Sequence, residues 1–104
     1  MDVAVICSAL GNKTRYELIN ALRNQSIATC CDRFEFFENG VSVGDVVKFT
    51  GLAQSTVSQH LAVLVNANLI RKEKRELWSC YFLNRPVLEE FINQLQEDLL
   101  PKKE

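Results

Sequence analysis

A chain of 104 residues with a formal net charge of −1 and a sequence pI of about 5.8 is the size of one domain. No apolar run approaches the roughly 18 residues a membrane span needs, and the overall charge lacks the strong positive balance many nucleic-acid-binding domains carry. A single histidine and no evident pairing of base with nucleophile argue against an enzyme, while 47% hydrophobic residues exceed what one small isolated core needs, a surplus an oligomer would use.

The opening "MDVAVICSALG" lacks a basic leader and enters a helical pattern at once, so it is not read as a signal peptide. A cytoplasmic location is expected, with cysteines reduced unless they bind or sense something. Asp2 caps a first short helix through "VAVICSAL". Asn12 caps a second, where Tyr16, Leu18, Ile19 and Leu22 recur at helical spacing. The segment 25–41 is the least regular. It sets Cys30 beside Cys31, contains Phe34, Phe36 and Phe37, which need burial, and ends on the turn signal Asn39-Gly40.

Ser42 opens a third helix with Asp45 where a capping-box acid reaches back. Val43, Val46 and Val47 face inward, and Gly51 stands where a helix end favours a left-handed residue. A fourth helix begins near Gln54 with a buried stripe of Val57, Leu61, Leu64 and Val65, and ends at residues 66–68. "LIRKEKRELWSCYFL" reads as two strands around a charged turn, with Leu77, Trp78, Tyr81 and Phe82 in the second. Asn84 or Arg85 caps a last helix with Pro86 in its first turn. Val87, Leu88, Phe91, Ile92, Leu95 and Leu99 give that helix a broad apolar face. The fold class is mainly α (α+β): a winged helix-turn-helix of about five helices and a two-stranded hairpin wing. Residues 1–104 form one such domain, with 42–66 the helix-turn-helix and 69–83 the wing.

In such a motif the second helix lies in the major groove of DNA. With its apolar stripe turned inward, the fourth helix points Gln54, Ser55, Thr56, Ser58 and Gln59 outward. Gln pairs with adenine in a bidentate way, and Ser and Thr bond either partner of a base pair. From helix composition alone, a solvated polar face is the favoured reading of these residues. The hairpin shifts the balance, because "RKEKR" sets Arg71, Lys72, Lys74 and Arg75 around a single Glu73, supplying positive potential where phosphates would run. Double-stranded operator DNA is the expected partner, and no membrane is.

From Leu10 to Leu83 the chain resembles the ArsR–SmtB family of bacterial winged-helix repressors. The resemblance rests on "LGNKTRYELINAL", where Asn, Thr and Arg precede an apolar-periodic run, and on "GLAQSTVSQHLAVLVNANLIRKEKRELWSCYFL", the recognition helix plus wing. It implies a homodimer built from the first and last helices, here 1–11 and 86–100, on a partly palindromic operator. It also implies release when a metal, metalloid or oxidant reaches a cysteine or histidine site. Two departures stand out. Ala53 replaces the usual serine cap of the recognition helix. The family's Cys-x-Cys-Asp metalloid site falls on Ser42, Val43, Gly44 and Asp45, which hold no thiol. The family's alternative site on the last helix lacks histidine here. His60 occupies a position the family commonly fills with histidine and is assigned to the DNA face or to local hydrogen bonding.

The sensor is therefore sought at Cys30 and Cys31. Adjacent cysteines pair poorly with each other but offer two thiolates to one soft ion, and Cys7 is a weaker candidate for a third. Arsenite or antimonite fits this chemistry, zinc or cadmium less so. Thiol redox or reactive-sulfur sensing is the alternative, with Arg33 a nearby cation that favours thiolate. Cys80 is expected to be packed. Cys30, Cys31 and Cys7 also have a purely structural reading, and a winged-helix protein-interaction module without DNA binding is a further alternative, which the acidic pI suggests.

Overall fold

The computed structural model describes residues 1–27, 40–74 and 77–102. The expectations for Cys30, Cys31, Arg33, the three phenylalanines at 34, 36 and 37, Asn39 and Arg75 lie outside the described residues. The elements run α1 (Val3–Leu10), α2 (Lys13–Arg23), α3 (Val43–Thr50), α4 (Gln54–Asn66), β1 (Ile70–Lys74), β2 (Ser79–Leu83) and α5 (Arg85–Leu99). This is the expected winged helix-turn-helix order.

Local chemistry accounts for the helix starts. Asp2 Oδ1 accepts from the Val5 N–H at 3.2 Å, and Asn12 Oδ1 accepts from the Arg15 N–H at 3.1 Å. At α3, Ser42 and Asp45 form the reciprocal capping box, and Gly51 ends the helix at φ 72°. L side chains rarely adopt that φ, and glycine does so without steric cost. Three residues then turn the chain into α4.

One core joins these elements. Ile6 and Ala9 of α1, Leu18 and Leu22 of α2, Val46 of α3 and Phe91 of α5 close around Val57, Leu61 and Leu64 of α4. Each large side chain buried there contributes roughly 1.5–3 kcal/mol. Tyr16, expected to share the stripe of α2, is instead exposed at 61%. The stripe needs only Leu18, Ala21 and Leu22 to meet the core, and Tyr16 falls on the flank.

The hairpin pairs antiparallel with Arg71 opposite Phe82, Lys72 opposite Tyr81 and Glu73 opposite Cys80. Its second strand is buried on both faces. Tyr81 joins the main core, while Cys80 and Phe82 form a small second cluster. Leu77 and Trp78, expected within this strand, precede it and are exposed, Leu77 at 86%. Gly40 is not the left-handed turn residue that Asn39-Gly40 signals. It is buried, and a Cβ there would come within 2.6 Å of the Phe82 ring. The next residue, Val41, bridges Tyr81 through two hydrogen bonds of 2.9 and 2.7 Å. Glycine at 40 therefore serves a close approach of backbone to ring.

Candidate nucleic-acid interface

The core stripe of α4 orients its other face. With Val57, Leu61 and Leu64 buried, Gln54, Ser55, Ser58 and Gln59 are exposed, and Thr56 and His60 are half-buried. The helix has no charged residue other than what His60 carries on protonation. Its N-cap, Ala53, makes no side-chain hydrogen bond, so the first-turn N–H groups have no capping partner from that residue. Short bifunctional side chains and an uncapped helix start together form a surface of donors and acceptors on a rigid element.

The wing divides its charges by strand alternation. Arg71 shares a face with Phe82, its guanidinium 5.4 Å from the ring centroid, and forms an ion pair with Glu73 at 3.2 Å. Lys72 and Lys74 lie on the opposite face, exposed, with Lys72 6.0 Å from the Tyr81 ring centroid. The four-cation wing tip of the sequence is thus resolved into one cation engaged by an acid and an aromatic ring, and two lysines directed elsewhere. The fourth, Arg75, is outside the described residues.

His60 contacts a residue that sequence reasoning did not assign to the site. Arg15 of α2 reaches across so that its Nη1 lies 3.2 Å from His60 Nδ1. The same guanidinium donates to the carbonyls of Ala9 at 2.7 Å and Ser8 at 3.4 Å, the last turn of α1. Desolvation, and then the Arg15 charge, hold the His60 pKa below its ordinary value of 6.5. Arg15 and His60 are 45 positions apart, so no local pattern connects them.

Of the sensor candidates, only Cys7 lies among the described residues. Cys7 is a free thiol on the exposed side of α1, not the small buried residue that the apolar helix also allows. Cys80 is fully buried, as expected, and is also disulfide-bonded. At the family's metalloid position, Ser42 Oγ accepts the Asp45 N–H at 3.1 Å and Asp45 Oδ2 accepts the Ser42 N–H at 2.9 Å. Those groups start a helix. No cluster of three or more His, Cys, Asp or Glu side chains is arranged to hold a metal ion among the described residues. No helix among them is long and apolar enough to cross a membrane.

Residues 37–72 match a family described as "Bacterial regulatory protein, arsR family". The chain is 36% identical over 76 residues to a candidate arsenical resistance operon repressor of Halobacterium salinarum, an alignment covering 73% of this chain and about half (54%) of that protein. It is 35% identical over 91 residues to the arsenical resistance operon repressor of Bacillus subtilis, covering 88% and 71% of the two chains. Among solved structures, reduced HlyU from Vibrio cholerae superimposes with a TM-score of 0.62 at 26% identity, over 94% of this chain and 88% of that one. This kinship, with the winged helix-turn-helix and the outward polar helix, places the chain among transcription regulators and not enzymes: it belongs to the ArsR family of bacterial regulatory proteins.

Proposed function

We propose that the protein is a homodimeric cytoplasmic repressor that binds duplex operator DNA and is released by an inducer at cysteine. One observation carries the DNA reading. The core stripe of α4 leaves Gln54, Ser55, Ser58 and Gln59 exposed on one rigid helix, the chemistry a major groove requires. Thr56 and His60 flank that face, and Lys72, Lys74, Arg71 and Arg75 supply the phosphate-directed charge. The homodimer is supported by apolar residues left uncovered on the first and last helices, among them Val5, Ile92 at 50% and Leu99 at 72% exposed. A two-fold pair brings both copies of α4 to successive grooves.

The inducer is a thiophilic metalloid of the arsenite or antimonite class, held by Cys30 and Cys31 with Cys7 as a weaker third ligand. The names of the two repressors at 35–36% identity support this class, as does the softness of paired thiolates. A second reading, thiol redox or reactive-sulfur sensing, is favoured by the Cys80 disulfide.

The test is an operator-binding titration on thiol-reduced protein with arsenite, antimonite, zinc, cadmium, and a peroxide or persulfide donor. Release by arsenite, lost in Cys30→Ser with Cys31→Ser, supports metalloid sensing. Release by oxidant alone, lost in Cys80→Ser, supports the redox reading. A fully inducible double mutant with serine at 30 and 31 removes the sensor assignment. Absence of duplex binding at low salt removes the DNA reading and favours a protein-interaction module.

A further inference from the structure

We propose that Arg15 is a positioning residue for DNA recognition: by donating to His60 Nδ1 it fixes the imidazole with its proton on Nε2, so that His60 offers one N–H donor to a phosphate oxygen. The proposal rests on the operator reading above and adds to it a residue on another helix.

Arginine has N–H donors and no acceptor. At 3.2 Å from Arg15 Nη1, His60 Nδ1 must be the accepting nitrogen, which puts the ring proton on Nε2 in the neutral form. Nε2 has no hydrogen-bond partner among the described residues, so its donor is uncommitted. Arg15 is itself held at two other points, by the Ala9 and Ser8 carbonyls. A cation at the end of α1 is favoured by the partial negative charge of those carbonyls. The guanidinium is therefore anchored before it meets His60, and Arg15 ties the end of α1 to the middle of α4.

The position of His60 selects phosphate over base edge. Base edges are met by the N-terminal residues of a recognition helix. His60 is the seventh residue of α4 and only half-exposed, which suits a contact at the groove wall. Phosphate contacts set register and orientation without carrying sequence information.

The chain contains a single histidine, so one imidazole accounts for the whole ring-nitrogen spectrum. In wild-type protein above neutral pH, nitrogen NMR is expected to show Nδ1 unprotonated and Nε2 protonated, with the Nε2 signal moving on addition of duplex. Arg15→Ala is expected to give a mixture of tautomers and duplex affinity about five- to tenfold weaker, the loss from one hydrogen bond. His60→Ala is expected to lose a similar factor on specific and non-specific duplex alike, and the double variant no more than either single one. A wild-type ring protonated on Nδ1, or additive losses, would overturn the proposal. A loss confined to specific sequence would overturn the phosphate assignment. If Arg15→Ala does not fold, the response of the wild-type Nε2 signal to duplex decides, and an unmoved signal refutes the contact. Wild-type protein that shows the Nε2–H form and binds no duplex refutes the operator reading, and with it the DNA half of this proposal, while leaving the Arg15 contact standing.

Discussion

α3 and α4 are consecutive helices built on opposite plans. α3 has eight residues and buries only Val46 fully, but both of its ends are closed, by a capping box and by a left-handed glycine. α4 has thirteen residues and buries Val57, Leu61 and Leu64, yet it starts at an alanine that caps nothing. Short helices are marginal without help, so α3 depends on its termini, and α4 on its packed face. A helix held from behind leaves its front and its first turn uncommitted.

That contrast can be broken first at the core. Leu61→Ala should cost about 2–5 kcal/mol of unfolding free energy, because the cavity opens where α4 meets the centre; chemical denaturation with an unchanged m-value would show it. A loss below 1 kcal/mol would mean that packing does not hold α4. Gln59→Ala, on the exposed face, should leave stability within about 0.5 kcal/mol while costing about 1–3 kcal/mol in specific duplex affinity. Equal losses on specific and non-specific duplex would limit Gln59 to backbone contact.

The termini supply the finer test. Ser42→Ala should destabilise by about 1 kcal/mol, and Ala53→Ser should stabilise by up to a similar amount if a side-chain cap is what α4 lacks. An unchanged denaturation midpoint in Ala53→Ser would show that α4 gains nothing from closing its end.

The smallest effect concerns protons. The folded pKa of His60 is lowered, by desolvation first and Arg15 second. The unfolded chain therefore takes up the proton first as pH falls through 6.5. Stability from this group is complete above that pH and declines as acidification continues toward the folded pKa. Urea midpoints measured from pH 8 to 5 should fall with this sign, and Arg15→Gln should reduce the decline. A midpoint that rises on acidification would contradict it.

Much of this was legible in the sequence, for local reasons. Asp2, Asn12, Ser42 with Asp45, and Gly51 are signals whose chemistry acts within a few residues, and each marks a real helix end. The stripe of α4 was legible because its period matches the helix. What the sequence did not disclose is non-local. Leu77 and Trp78 look like strand residues because they are apolar, but both are exposed, Leu77 at 86%, and pairing begins at Ser79. Gly40 looks like a turn until the Phe82 ring is placed against it. The tie between Arg15 and His60 depends on which distant segments meet, which no local spacing encodes.

The root of the hairpin is pinned on both sides. Val41 is laced to Tyr81, and the Asn84 N–H donates to the Leu69 carbonyl at 2.9 Å. These bonds tie the hairpin to the body of the fold and oppose its swinging to follow a target, so in the proposed complex more of the angular adjustment falls on the nucleic acid. Sequences whose base steps bend or twist cheaply would then be preferred even where no side chain reads them.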